Sequence, residues 1–254
     1  MKKRVQKILS QLGIASRRHA EILILEKRLK LNGQIVLLGD KADPNHDLLE
    51  LDGKIIKSHK KTQLFYILVN KPVGIICSCK DSQNRSIVMD LLPSNLRKGM
   101  GIHPVGRLDM NSSGALLLTN DGNLTLRLTH PRYHLPKIYE VLVRGNFTQA
   151  ILKDWRQGVV LGGKKTLPAY LEVINNNRQY TNLKIILTEG KNRHIRRIAQ
   201  KFELDVIKLH RTAIGPISLS TSKVDNVKLG HYRLLSSSEI NTLKYLTKLF
   251  NNDM

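Results

Sequence analysis

Apolar residues at the start of the chain recur at helical spacing. Val5, Ile8, Leu9 and Leu12 fall on one face, leaving Lys2, Lys3, Arg4 and Lys7 for the others. Gly13 predicts the end of this helix, because glycine readily takes the left-handed conformation found there. Ser16 is placed to cap a second helix that begins with Arg17 and Arg18 and continues through Ala20, Leu23 and Glu26. Two arginines at that end oppose the helix macrodipole, and no acidic residue precedes Glu21. The arrangement suits an anion, since backbone amides and guanidinium groups then face it together. Arg17 and Arg18 are therefore candidate phosphate contacts. Two hairpins follow, one centred on Asn32-Gly33 and one on Asp52-Gly53, dipeptides that accept the positive φ of tight turns. The polar stretch 57–61 then reads as a linker or as an exposed edge of the same domain.

A second region has a different rhythm. Residues 64–69 (LFYILV) form a short apolar run of strand character, and Pro72 and Gly74 impose a turn after it. A polar, glycine-flanked loop at 106–114 (GRLDMNSSG) leads directly into the apolar 115–118 (ALLL), a predicted core strand. Residues 137–143 (KIYEVLV) alternate like a strand, with Tyr139 on one face. In 188–199, Ile195, Ile198 and Ala199 keep helical spacing while the basic residues take another face and the helix start. The chain closes with a strand over 230–235, a capped helix after Ser236, and a frayed end at 251–254. Two domains are expected, 1–61 and 62–250.

Charge narrows the partner. The chain carries 42 Lys and Arg against 20 Asp and Glu, a net of +22. Such an excess draws in polyanions, and a long nucleic acid gains most from it because neutralised phosphates release counterions. A generically basic surface is the bland alternative. With 41% hydrophobic residues the chain can bury a core, which excludes a disordered basic tail. Cys77 and Cys79 are too close for an ordinary disulfide and lack companions for a zinc site, so two reduced, buried thiols are expected and no metal. No apolar run approaches the roughly 18 residues of a membrane span, and the basic N-terminus lacks the continuous apolar stretch of a secretory signal. A cytoplasmic protein is expected, with no membrane partner.

The chemistry concentrates around Asp109. A polar loop held at the end of a core strand is a favoured place for catalysis, and Asp109 is its most reactive side chain. A turn-capping role is the structural alternative. Gly99-Met100-Gly101 lacks the third glycine of a dinucleotide fingerprint, and 189–192 (EGKN) lacks what a phosphate loop requires. The basic run 191–197 is either a solvated face or an RNA contact.

Residues 5–21 (VQKILSQLGIASRRHAE), with 31–43 and 49–54, resemble the alpha-L RNA-binding motif shared by a small-subunit ribosomal protein and several RNA-modifying enzymes. GRLDMNSSGALLLTNDG, NKPVG, KIYEV, EGKNRHIRRIA and KLHRTAIG, in that family's order, resemble the RsuA-type pseudouridine synthases, the branch that includes RluB- and RluF-type enzymes. Ser112 stands where many members have Thr. The resemblance implies an α+β chain: a small alpha-L domain, then a catalytic domain on a long, mainly antiparallel mixed sheet. It implies isomerisation of a ribosomal RNA uridine to pseudouridine, preferably in the large subunit, without a cofactor, since no redox change occurs and no group is added. Asp109 matches the catalytic aspartate, Tyr139 the tyrosine that contacts the base and is a candidate for the later proton abstraction, and Arg196 the basic residue paired with the aspartate. Leu209 matches an apolar wall of the uracil pocket, and Arg107, Lys71 and Arg193 are RNA-binding or loop-positioning candidates. Whether the aspartate attacks the sugar, attacks the base or abstracts a sugar proton stays open. So do small-subunit and transfer RNA substrates, and a non-catalytic RNA-binding assembly factor. Ribosomal RNA or a ribosome-assembly intermediate is the expected partner, and a monomer the expected state.

Overall fold

The computed structural model describes residues 2–56, 63–97, 99–177, 179–220 and 226–249. The expected linker at 57–61, the boundary at 61/62 and the segment 251–254 lie outside the described residues. The chain divides into two units. One comprises Met1–Phe65, Leu92–His103 and Thr119–Gly122; the other comprises Tyr66–Leu91, Pro104–Leu118 and Asn123–Met254.

The first unit is built as its patterning predicts. β1 (Lys3–Arg4) leads into α1 (Val5–Gln11), and Gly13 ends the turn at φ +71°. A side chain at Gly13 would come within 2.5 Å of the Gly99 carbonyl, so the segment 92–103 lies close against this turn. Ser16 caps α2 (Arg17–Leu25), its Oγ accepting the His19 N–H at 3.2 Å. The strands β2 (Leu29–Leu31), β3 (Gln34–Ile35), β5 (Leu49–Leu51) and β6 (Lys54–Ile55) make a four-stranded sheet in the order β3-β2-β5-β6, while β4 (Lys41–Ala42) pairs with β1. Asn32 and Gly33, and Asp52 and Gly53, all have positive φ, as hairpin turns of this kind demand. Val5, Leu9, Ala20, Leu23 and Leu29 pack into one core. The short α3 (Ser94–Arg97) belongs to the same unit.

The principal sheet is assembled from β7 (Tyr66–Lys71), β8 (His103–Pro104), β9 (Ser113–Thr119), β10 (Lys137–Arg144), β13 (Tyr170–Asn176), β14 (Tyr180–Leu187), β15 (Asp205–Ile214), β16 (Ile217–Ser218) and β17 (Tyr232–Leu234). Its main path runs β13-β14-β10-β15-β9-β7-β17, with β16 on β15 and β8 on β9. A separate hairpin joins β11 (Val160–Leu161) to β12 (Lys164–Lys165). Every residue of β7 and β9 is buried, which explains the apolar runs 66–69 and 115–118 within them. β14 alternates buried and half-buried positions, the signature of a strand with one face in the core. The pairing of β9 with β15 is parallel, whereas β10 pairs antiparallel with both β14 and β15. The sheet is thus mixed and mainly antiparallel.

Four helices complete this architecture: α4 (Gly122–Thr129), α5 (Gln149–Gln157), α6 (His194–Lys201) and α7 (Ser237–Leu246). α6 adds Ile195, Ile198 and Ala199 to a core with Val141, Leu183 and Leu209. α7 starts with a reciprocal capping box between Ser236 and Glu239, and Arg233 grips the same glutamate at 2.7 and 2.8 Å. One expectation fails at the thiols. Cys77 is buried, but Cys79 is exposed, because the chain has left β7 and turned outward by that point.

Candidate active site

The loop between β8 and β9 is fastened from three directions. The Ser112 N–H donates to the Asp109 carbonyl (3.0 Å) and closes the turn. The Gly74 N–H, from the turn after β7, donates to the Met110 carbonyl (2.8 Å). The Leu108 N–H donates to Cys77 Sγ (3.2 Å). β9 then runs beside β15, with Ser113 opposite His210 and Gly114 opposite Arg211. The approach is so close that a Cβ on Gly114 would lie 2.2 Å from the Arg211 carbonyl oxygen, and φ there is +112°. Asp109 is thereby held at the end of a buried strand, half-buried. Among the described residues no hydrogen bond or ion pair engages its carboxylate. A carboxylate left unengaged is available to a substrate.

Three further elements bring side chains to it. In β10, Tyr139 lies two residues before Val141, and Val141 sits opposite Leu209 of β15, so Tyr139 and Leu209 share a face. A register shift between Ile138 and Tyr139 breaks the ladder at that point. α6 begins after Arg193, which is left-handed at φ +47°, and places Arg196 within its first turn. Together these walls border an open recess lined by Asp109, Tyr139, Arg196, Leu209, Arg107 and Arg193. One wall is apolar, one is an aromatic ring, and the rest carries Asp109 and Glu189 among cations. Such a recess fits a flat, polar base attached to an anionic backbone.

Arg196 departs from its expected partner. Its Nη2 donates to the Asn111 carbonyl (2.7 Å) and its Nη1 to the Val206 carbonyl (3.2 Å). It therefore clamps the Asp109 loop to the start of β15 and makes no ion pair with the acid itself. Burial lowers its pKa and Arg193 lowers it further, while the nearby negative charge of Asp109 acts the other way. The acid and the guanidinium thus feel each other without touching.

Lys71 is also placed differently from a groove-lining RNA contact. It is fully buried, and its ammonium donates to the Pro72 and Ile75 carbonyls at 2.7 and 2.8 Å. β7 continues through Lys71 and carries it into the core, where it can shape the following turn but cannot meet a polyanion. Burial lowers its pKa, opposed by Cys77 and Asp109. Arg17 and Arg18 stand exposed at the N-terminus of α2, in the first unit.

The recess also holds residues that periodicity did not single out, among them Leu187, Glu189, His194 and Ile195. Glu189 collects three neighbours: its carboxylate accepts the Leu167 N–H (3.0 Å), pairs with Lys191 (3.1 Å) and lies 3.4 Å from His194 Nε2. His194 is buried, and that burial pulls its pKa below the ordinary histidine value. The signal for both was the motif EGKNRHIRRIA, whose basic residues drew attention away from them. Among the described residues no group of three or more His, Cys, Asp or Glu could hold a metal ion, and no helix is long and apolar enough to cross a membrane.

Comparison with known proteins identifies the family. Residues 65–201 match the model of the RNA pseudouridylate synthase family, and residues 3–48 match the S4 domain. An RNA pseudouridine synthase of Aquifex aeolicus is 38% identical over 242 residues, covering 94% of this chain and 93% of that protein. The ribosomal large subunit pseudouridine synthase B of Bacillus subtilis is 33% identical over 246 residues, covering 96% of each. A crystal structure of a pseudouridylate synthase superposes with a TM-score of 0.67 at 27% identity, covering 94% of this chain and 99% of the other. With an acid, an aromatic ring and an apolar wall meeting in one cation-rimmed recess, and with these relatives spanning nearly all of it, the chain belongs to the RNA pseudouridylate synthase family.

Proposed function

We propose that this protein isomerises a uridine of large-subunit ribosomal RNA to pseudouridine, with Asp109, Tyr139 and Arg196 as its working residues. The observation that carries the reading is the convergence of Asp109, Tyr139, Arg196 and Leu209 on one recess, with the Asp109 carboxylate unengaged. The Bacillus subtilis relative supports the choice of large-subunit RNA. Residues 1–61 act as the RNA-binding domain and 62–250 as the catalytic domain. The protein works as a cytoplasmic monomer on ribosomal RNA or an assembly intermediate.

The chemistry follows from the residue types. The bond from ribose C1′ to uracil N1 breaks, a bond from C1′ to C5 forms, the C5 proton leaves to solvent and N1 takes a proton up. Product and substrate are isomers, so beyond this exchange of one proton with water the reaction needs no co-reactant. Asp109 supplies the carboxylate that reacts with sugar or base. The uracil leaves its stack at a cost of a few kcal/mol, and stacking on Tyr139 returns roughly 1–3 kcal/mol of it. Leu209 bounds the base, and Tyr139 takes the C5 proton in this reading. Arg196 holds the loop that aims Asp109, while Arg107 and Arg193 meet phosphates and Lys71 keeps the turn after β7 in shape. Arg17 and Arg18 give the first domain its phosphate contacts.

Because the C5 hydrogen is lost, release of tritium from [5-³H]uridine-labelled ribosomal RNA measures the reaction directly. Asp109→Asn is expected to lower the rate by on the order of 10³-fold or more while RNA binding persists. Release at the wild-type rate by that variant would end the assignment of Asp109.

A further inference from the structure

Beside the recess lies a second, larger depression of about 1280 Å³. Its floor is shared with the recess, at Arg107, Leu108 and Asp109. One wall is the segment 190–193. The other is a loop that leaves after β7 and returns at Ile87, closed at its base by a bridge between Ile76 and Ile87. Cys77 at the root of this loop accepts the Leu108 N–H, so the loop and the Asp109 segment are fixed to each other.

At the far side of this loop stands a built feature. Asp81 accepts the backbone N–H groups of Gln83 (3.1 Å) and Arg85 (2.9 Å), and its two oxygens also take Arg85 Nε (3.1 Å) and Nη2 (2.7 Å). Asn84 adopts positive φ (+52°) to bring the arginine round. The Asp81 side chain is 8% exposed and that of Arg85 is 50% exposed. The result is a guanidinium plane held by two bonds along one edge, with its surface turned to solvent in the groove.

The charges decide what such a plane can bind. Asp81 neutralises Arg85, and the pairing drives the carboxyl far below its usual range, so the pair stays ionised and carries no net charge. A neutral pair releases few counterions and is a poor phosphate ligand. Arg107 and Arg193 line the same groove with no ion-pair partner among the described residues, and they suit the phosphates better. A fixed guanidinium plane is instead a stacking surface for an unstacked base, which is how single-stranded RNA is commonly held.

We propose that this groove holds the nucleotide next to the target uridine, and that the Arg85 plane, clamped by Asp81, stacks on its base. The inference rests on the proposed function, because the target uracil in the adjoining recess fixes where its neighbour lies. Arg85 is a specificity-determining contact rather than a catalytic residue.

The test uses the full chain and a synthetic RNA stem-loop around the large-subunit uridine whose pseudouridine is lost in a strain lacking the protein. Two further stem-loops carry an abasic ribose on one side or the other of that uridine. Arg85→Ala is expected to bind the intact RNA about tenfold more weakly, within the range of one lost stacked base. One of the two abasic RNAs should weaken wild-type binding by a similar factor and weaken Arg85→Ala no further. Arg85→Lys keeps the charge but lacks the plane, and is expected not to restore affinity. In Arg85→Lys, which keeps the pair neutral, the slope of log affinity against log salt should stay at the wild-type value. The backbone bonds of Asp81 do not involve the Arg85 side chain, so the loop remains closed in these variants. Binding by Arg85→Ala within twofold of wild type, full rescue by lysine, or a shallower salt slope in the lysine variant would overturn the stacking assignment. In those cases the wild type still releases tritium and the functional reading stands. A wild type that releases none from any ribosomal RNA removes the functional reading and this inference with it.

Discussion

Arg196→Lys separates two roles that a cation beside Asp109 could play. A lysine keeps the positive charge but not the fork. In the structure the fork reaches two carbonyls at once, Asn111 at 2.7 Å and Val206 at 3.2 Å, and so ties the Asp109 loop to the beginning of β15. One ammonium on a flexible stem keeps at most one of these bonds. A hydrogen bond from a charged donor contributes about 1.5–3 kcal/mol, and the Asn111 bond is exposed, so a net loss near the lower end is expected. At roughly 1.36 kcal/mol per tenfold in rate, that is a fall in kcat of about tenfold. If the freed loop lets Asp109 drift by about 1 Å, misplacement raises the loss to about 10²-fold. Single-turnover tritium release at saturating enzyme isolates the step. The expected pattern is a lower kcat with little change in KM, since both clamp bonds go to backbone carbonyls of this chain and the lysine keeps the charge. An Arg196→Lys protein that turns over within two- or threefold of wild type would show that charge alone suffices and that the clamp is irrelevant.

Two other outcomes follow from the same framework. Gly114→Ala would place a methyl group 2.2 Å from the Arg211 carbonyl, where 3.4 Å is an ordinary contact, on a backbone at φ +112°. A loss of about 3 kcal/mol or more is expected, seen as a lower denaturation midpoint together with reduced tritium release; a midpoint equal to wild type would contradict the close β9–β15 approach. Stability should also depend on pH near neutrality. Burial lowers the pKa of both His194 and His210 below the ordinary 6.5, so in the window beneath 6.5 the unfolded chain binds protons that the folded chain refuses. Stability is then fully present above that value and declines as pH falls through it. Urea midpoints at pH 7.5 and 5.5 should show the decline, and His194→Gln should make it shallower; an unchanged difference in that variant would refute the contribution of His194.

Local chemistry made several features readable in advance. Ser16 and Ser236 cap helices, and Asn32-Gly33 and Asp52-Gly53 turn hairpins, because each of these choices is settled by atoms within a few residues. The loop ahead of β9 was legible for the same reason, as a polar run bounded by glycines and followed by an apolar strand. The motif resemblance then pointed to Asp109, Tyr139, Arg196 and Leu209, all of which line the recess.

Other features depend on residues far apart in sequence. Lys71 reads as a basic residue at a strand exit, yet it is buried, because β7 runs two residues beyond its apolar stretch and the Pro72 and Ile75 carbonyls receive its ammonium. Arg196 reads as a partner for the acid, yet its two terminal nitrogens donate to carbonyls 85 and 10 residues away. Asp81 and Arg85 are four residues apart in a polar stretch with no periodicity, and only the Ile76–Ile87 bridge and the Cys77 contact turn that stretch into a wall of a groove. By itself the sequence determined the two domain types, the element boundaries set by caps and turns, and the residue types available for chemistry. The tertiary structure alone decided which cations are buried, which are clamped and which remain open to RNA. Burial and hydrogen-bond partnership depend on the desolvation and reach of each charge in the folded chain, and neither quantity is written in the spacing of residues along it.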